Sequence, residues 1–374
     1  MADKFYSLEP ILKQKARYNI IVGMRSNGKT YGALKYGLQQ YWEKGSEIAY
    51  IRRYREDFVG KRGEQLFASL IENDEIATIT GGEYTGVQYR AKRWYLTKID
   101  ESRDTVRAEK PFCFGFSLTE MEHDKSVSYP AIRTVIFDEF ITRQYYLNDE
   151  FVLFCNVLST IIRQRDDVII FMLGNTVNKF CPYFKEMGLK HINDMKPGTI
   201  ELYQTVMHLK IAVEYCATTD KDSKTPTKPS DIYFSFDNPK LEMITGGSWE
   251  LDIYPHLPMK YSPSEVMFTY FIDFDSQLLQ CEIIAPSITS GYPIIFTYIH
   301  AKTTELKYPD RDIVFSLAPS AKPNYFRNIL HPIGDIDRKI SKFFRSYKVF
   351  YQDNEIGELV KNYMKVCQRE SLLS

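Results

Sequence analysis

Eight consecutive residues carry the first chemical signal. Gly23-Met24-Arg25-Ser26-Asn27-Gly28-Lys29-Thr30 matches the phosphate-loop pattern GxxxxGK[ST] in full. The glycines permit a tight turn whose backbone N–H groups face phosphate oxygens, and a helix starting at Lys29 adds the favourable end of its dipole. In that setting Lys29 reaches the β- and γ-phosphates and Thr30 holds Mg²⁺, so ATP and Mg²⁺ are the ligands implied. A second segment, Thr134-Val135-Ile136-Phe137-Asp138-Glu139, is an apolar run ending in two carboxylates. This is the Walker B arrangement, with Asp138 on the metal and Glu139 activating water. Alternation along a strand sends the two side chains in different directions. Adjacent acids that merely cap a strand give the same pattern; the phosphate loop upstream favours the chemical reading.

A third run, Ile169-Ile170-Phe171-Met172-Leu173-Gly174-Asn175-Thr176, ends in a small residue and then an amide. Asn175 is placed to sense the γ-phosphate and the attacking water, against the plainer reading of an asparagine that stops a strand in a turn. Phosphoryl transfer in ring ATPases is completed by a cation from a neighbouring subunit. Arg163 and Arg165, at the end of a helix expected over 149–163, are the finger candidates, although charged helix ends are usually solvated. Arg25 in the loop is another nearby cation, and Arg53 and Arg55, just past a strand in Ile51-Arg52-Arg53-Tyr54-Arg55, are further candidates to act in trans on a neighbour's nucleotide.

These residues need a scaffold. From residue 19 to about 219, short β-branched runs alternate with helical stretches, the pattern of a covered parallel sheet with helices on both faces. Strands are expected at 20–22, 48–52, 135–138 and 168–173, and helices after Lys29, around 65–71 and over 149–163. Segments 81–98 and 111–118, rich in Tyr and Trp with Gly turns, read as antiparallel additions inserted between the second and third strands. Residues 218–230 are polar and proline-bearing, with no large apolar side chain, which makes a linker or loop. Beyond residue 246 the runs 266–274, 278–284 and 293–298 and a basic helical tail form a smaller α+β unit. The expected division is 1–218, a linker at 219–248, and 249–374.

Composition bounds the rest. With 374 residues, 44% apolar and 26% charged, the chain is long enough for two cores. Lys+Arg and Asp+Glu each number 48, so any nucleic-acid surface is a local patch rather than a bulk property. Six scattered cysteines with no CxxC pair read as reduced core residues of an intracellular protein. No apolar run approaches the roughly 20 residues of a bilayer span, so no membrane role is expected.

GMRSNGKT, YIRRYRED, SYPAIRTVIFDEF and the strand ending in GNT together resemble the genome-packaging ATPases of small podoviruses with protein-primed genomes, the phi-twenty-nine type. The resemblance covers roughly residues 19–176 and implies a terminase-like P-loop NTPase of the ASCE/RecA-like class. It further implies a homopentameric ring, docked from the host cytoplasm on the portal of the procapsid, that moves double-stranded DNA with ATP. It assigns Lys29 to the phosphates, Asp138 and Glu139 to Walker B, and Lys125, in His123-Asp124-Lys125-Ser126, to the DNA channel. It places a residue acting on the neighbour's nucleotide near Arg55, where Arg stands instead of the expected Lys, and the finger within Arg163–Arg165.

The same resemblance implies an RNase H-like C-terminal domain without its catalytic acids, able to meet the portal and a structural packaging RNA. Asp273, Asp275, Glu282, Asp335 and Asp337 are the acids a two-metal nuclease would draw on. The tail interleaves Lys322, Arg327, Arg338, Lys339, Lys342, Arg345 and Lys348 with Tyr325, Phe326, Phe343, Phe344 and Tyr347. That mixture suits nucleic-acid backbone contact, or equally an amphipathic helix with its aromatics turned inward. The alternatives are a nuclease-competent terminase or helicase, and a nucleotide-gated nucleic-acid-binding assembly protein; a positioned Glu139 argues against the last.

Overall fold

The computed structural model describes residues 6–25, 27–120, 127–142, 146–147, 149–176, 181–216, 252–275, 277–287, 294–301 and 306–373. Ser26, Lys125 and the expected linker 219–248 lie outside the described residues. The chain divides into two units between residues 250 and 251.

The first unit is built on a ten-stranded sheet: β1 (Tyr18–Gly23), β2 (Glu47–Arg52), β3 (Gly86–Arg90), β4 (Arg93–Ile99), β5 (Thr105–Arg107), β6 (Cys113–Ser117), β7 (Ile132–Asp138), β8 (Ile169–Asn175), β9 (Thr199–Gln204) and β10 (Lys210–Tyr215). The order is β3-β4-β6-β2-β7-β8-β1-β10-β9, with β5 on β4. Six neighbouring strands, from β6 to β10, run parallel. Their residues alternate between two cores: Ile20, Val22, Val135, Phe137, Ile170 and Met172 face one, and Ile21, Ile136, Phe171 and Leu173 the other. That double burial explains why these strands read as continuous apolar runs. Two long helices cover opposite faces. In α1 (Lys29–Lys44) Ala33, Leu34 and Leu38 join the second core. In α2 (Glu150–Ile162) Phe154, Val157, Leu158 and Ile161 join the first.

The four expected strands appear as β1, β2 and β7, each extended by one to three residues, and β8, which begins one residue later than expected and ends two later. The segment expected around 65–71 is a 3₁₀ turn, Gln65–Phe67, followed by a short helix, Ala68–Glu72. One expectation is corrected. Segment 111–118 is not an antiparallel addition, because β6 runs parallel to β2 from Ile48↔Cys113 to Arg52↔Ser117 and is antiparallel only to β4. Cys113, Phe116 and Leu118 are buried, with Phe116 and Leu118 in one core and Cys113 in the other. A strand covered on both faces belongs to the parallel sheet rather than to its fringe.

The second unit is a six-stranded sheet of β11 (Val266–Phe274), β12 (Gln277–Ile284), β13 (Phe296–Ala301), β14 (Val314–Ser316), β15 (Tyr325–Phe326) and β16 (Val349–Tyr351), with helices α3 (Asp335–Arg345) and α4 (Asn354–Leu373). Its order is β15-β14-β11-β12-β13-β16. The first three strands form an antiparallel meander, and β14 and β15 add in parallel beyond β11. This is the order of the RNase H-like sheet that the resemblance implies, with β16 added at the far edge. The carboxylates on its hairpin stay apart: Asp273 is paired with Leu278 and Glu282 with Thr269, four residue pairs away. Asp273 accepts from the Ser316 hydroxyl at 3.2 Å. Glu282 is taken up by Tyr261, Gln280 and His300. Asp337 turns back to the backbone N–H groups of Ile333 and Arg338. In α3, Ile340 and Phe344 are buried while Arg338, Lys339, Lys342 and Arg345 are exposed, and Tyr325 and Phe326 belong to a strand.

Candidate nucleotide site

The strand order brings the three motifs together. β8 lies between β1 and β7, so the C-terminal ends of the phosphate-loop strand, the Asn175 strand and the Walker B strand stand side by side. Gly23 is in register with Asn175. The loop turns into α1 through Gly28 at φ 92, a left-handed conformation that glycine adopts without a steric cost. Close approach fixes Gly23 as well, since a Cβ there would lie 2.8 Å from the Cβ of Cys216 and 3.3 Å from the Asn27 amide nitrogen.

Lys29 is buried, at 5% exposure. Its ammonium donates to the carbonyl of Met24 at 2.8 Å, to Asn27 Oδ1 at 3.0 Å and to Asn175 Oδ1 at 3.2 Å. Burial lowers its pKa, and these acceptors, with the Gly23 carbonyl at 3.4 Å, replace the water it has lost. All are neutral oxygens, so phosphate oxygens can take their place at a gain in charge pairing. The Thr30 hydroxyl donates to the Asp138 carboxylate at 3.1 and 3.2 Å. Asp138 also accepts from Tyr50 Oη at 2.8 Å. Burial raises its pKa, opposed by Arg52 and by the hydrogen bonds from Tyr50 and Thr30. The pocket is lined by Asn27, Lys29, Thr30, Asp138, Glu139 and Asn175 together with the turn at Gly28 and the end of β8.

Glu139 sits at φ 56, where a residue with a Cβ is strained. Its carboxylate is 57% exposed and lies 2.6 Å from the Arg52 guanidinium. Arg52 also faces Asp57 at 3.4 Å and Asp138 at 3.8 Å. Burial works against its charge, but Tyr50 and the three carboxylates outweigh it and hold its pKa above the ordinary value. Sequence reasoning missed Arg52 and Tyr50. The available signal was parity, since both lie on β2 two residues apart and so project to one face.

The cations divide by environment. Arg53 is corrected: it is not presented to a neighbour but buried in its own chain. It is 6% exposed, forks onto Glu150 at 2.8 and 2.9 Å, and donates to the carbonyls of Phe140 and Glu139 at 2.8 and 3.2 Å. It therefore buttresses the backbone that carries Glu139. Arg165 is likewise committed. Its guanidinium donates to the carbonyls of Ile132, Pro130, Tyr129, Ile161 and Ile162 at 2.5–3.1 Å, binding the end of α2 to the start of β7. These contacts oppose a role for Arg165 as a finger. Arg163 is exposed and makes one such bond, to Val127 at 2.9 Å. Its α2 is 13 residues long, so Arg163 lies about 20 Å from the other end of its own helix, the end nearer Asp138. Arg55 is exposed and meets Glu120 at 3.2 Å. Arg25 is exposed.

The chain resembles packaging proteins of Bacillus phages. It is 26% identical over 192 residues to the DNA packaging protein of Bacillus phage B103, covering 49% of this chain and 53% of that protein. It is 25% identical over 183 residues to the DNA packaging protein of Bacillus phage phi29, covering 48% and 49%. The chain thus spans about half the length of the curated relatives it matches. Its fold matches the bacteriophage Phi-29 viral genome packaging motor assembly, with a TM-score of 0.56 at 17% identity over 98% of this chain and 99% of that one. It also matches the Phi-28 gp11 DNA packaging motor, with a TM-score of 0.53 at 16% identity and the same coverage. A family model for the Podovirus DNA encapsidation protein (Gp16) matches residues 2–208, more than half of the chain, and the protein belongs to that family.

Proposed function

We propose that this chain is the ATPase subunit of a motor that drives double-stranded DNA into a phage procapsid. One observation carries the reading: the Thr30 hydroxyl meets the Asp138 carboxylate at 3.1 Å, while Lys29, one residue earlier, meets Asn175. Phosphate, metal and γ-phosphate-sensing groups thus converge from three adjacent strands. Thr30 and Asp138 supply the hard oxygen donors that suit Mg²⁺, and the bound ion would offset charge on the phosphates.

In this reading Lys29 exchanges its neutral acceptors for β- and γ-phosphate oxygens. Asn175 Oδ1, relieved of the ammonium, is free to orient the attacking water. Glu139 takes the proton from that water, which requires its carboxylate to leave Arg52. Arg163 of one subunit completes the neighbour's site, with Arg55 the second trans candidate. Lys125 grips the DNA backbone. Dependence on a trans cation favours a closed homomeric ring, here a pentamer, docked on the portal vertex from the host cytoplasm. The basic face of α3 is the surface offered to the portal or to a structural packaging RNA.

The test is ATP turnover with and without double-stranded DNA, comparing the parent chain with Glu139→Gln. DNA-stimulated turnover that disappears in the variant supports the reading. Equal turnover in the two chains refutes Glu139 as the base, and DNA binding without turnover would favour a nucleotide-gated binding protein.

A further inference from the structure

The β3–β4 hairpin closes through Ala91 and Lys92, at φ 49 and 58. A two-residue turn with both residues left-handed ordinarily uses Asn-Gly, because a Cβ is strained there. Here Ala and Lys occupy it, flanked by Arg90 and Arg93, which stand directly opposite each other in the register. Like charges in that position destabilise a hairpin. The tip thus combines backbone strain with cation repulsion, two costs that persist where a site serves a function.

The tip is also rigidly mounted. Tyr89 donates to the carbonyl of Phe58, and its ring lies 5.0 Å from that of Trp94. Trp94 is fully buried and donates to the carbonyl of Gly63 at 2.8 Å. The Lys92 carbonyl accepts from Gly115 N at 2.7 Å on β6. The Lys92 ammonium is neutralised by Glu120, which also pairs with Arg55. Arg90 and Arg93 are exposed and make no ion pair or side-chain hydrogen bond among the described residues.

Two adjacent guanidinium groups on a rigid, strained tip are arranged for a repeating polyanion. Resting on the DNA-motor reading, we propose that the β3–β4 tip is a contact for the phosphate backbone of double-stranded DNA, made by Arg90 and Arg93. The contact is sequence-independent, since guanidinium groups on phosphates carry no base information. It adds a fixed foothold to whatever grip Lys125 provides. Glu120 keeps Lys92 and Arg55 out of the contact, so Glu120→Gln strengthens DNA binding.

The experiment measures binding of the full chain to a random-sequence DNA duplex by fluorescence anisotropy across a salt series. Each lost phosphate contact reduces the slope of log K against log salt by about 0.9, so Arg90→Gln with Arg93→Gln lowers it by about 1.8. By the same relation, affinity at 0.1 M salt falls about 60-fold if binding at 1 M salt is unchanged. DNA-free ATP turnover is unchanged, and the thermal midpoint holds or rises because a like-charge pair has been removed. A lowered midpoint with an unchanged salt slope would show a merely structural hairpin and overturn the proposal. Slope loss on an RNA duplex but not on the DNA duplex overturns the assignment to DNA. If the parent chain binds neither duplex, the DNA-motor reading falls with it.

Discussion

Arg53→Ala separates a buttress from a trans-acting group. The substitution deletes both ion-pair contacts to Glu150, at 2.8 and 2.9 Å, and two donations to the carbonyls of Phe140 and Glu139. Glu150 has no exposed side-chain surface, and among the described residues it keeps the Tyr183 hydroxyl at 2.9 Å and the Leu147 N–H at 2.7 Å. Removing one partner of a buried pair costs about 3–5 kcal/mol. For a unit of roughly this size, each kcal/mol moves the thermal midpoint by about 2–4 °C, giving a fall of about 6–20 °C. Differential scanning calorimetry of the nucleotide-free chain measures it, with Arg53→Met, Glu150→Leu as the companion. That pair recovers part of the loss by removing the stranded charge, though Leu147 N–H and the Tyr183 hydroxyl then lack an acceptor. A shift under 2 °C, together with turnover restored by mixing Arg53→Ala with Lys29→Ala subunits, would refute the buttress and return Arg53 to the trans candidates.

The finger candidates separate by the same logic: Arg165→Ala, which frees five carbonyls, lowers the thermal midpoint, whereas Arg163→Ala leaves it unchanged and removes DNA-stimulated turnover. Mixing Arg163→Ala with Glu139→Gln subunits restores turnover if Arg163 acts on a neighbour, and a titration of subunit ratios reads this directly. At the phosphate loop, Gly23→Ala drives a Cβ to 2.8 Å from the Cβ of Cys216, so nucleotide affinity by titration calorimetry falls at least about tenfold, equivalent to about 1.4 kcal/mol. Cys216→Gly relieves that clash and Cys216→Ala does not, because alanine retains the Cβ. In the second unit, His300 at 3.8 Å, aided by hydrogen bonds from Tyr261 and Gln280, holds Glu282 down at about 2 from a reference of 4.5. A depressed carboxylate contributes stability above the unfolded value and loses it as pH falls. The urea midpoint difference between the parent and Glu282→Gln is therefore full near pH 6 and shrinks from about pH 4.5 towards 2; a difference independent of pH contradicts the assignment.

How much of this was legible in the sequence depended on whether the cause was local. The phosphate loop, Walker B and the strand ending in Asn175 are contiguous patterns whose apolar runs reflect burial on both faces, so their positions could be read directly. Asn175 reaches Lys29 only because β8 is inserted between β1 and β7, a pairing of distant segments that no local period encodes. The same limit hid Arg52. Its neighbour Arg53 looked equivalent in Ile51-Arg52-Arg53-Tyr54-Arg55, yet one lies against Glu139 and the other is buried on Glu150. Arg163 and Arg165 likewise share a helix end but differ in whether the carbonyls of 129–132 fall within reach. The direction of β6 was misread because a run with one core on each side resembles a fringe hairpin until its partner β2 is known.

The central claim is that hydrolysis at this site moves DNA. Procapsids bearing their portal, supplied with this chain, ATP and phage-length DNA, should protect that DNA from nuclease digestion. Protection should vanish with Glu139→Gln and with a non-hydrolysable ATP analogue while DNA binding persists. Protection that survives either change would contradict the claim, as would robust DNA-stimulated turnover that never brings DNA inside.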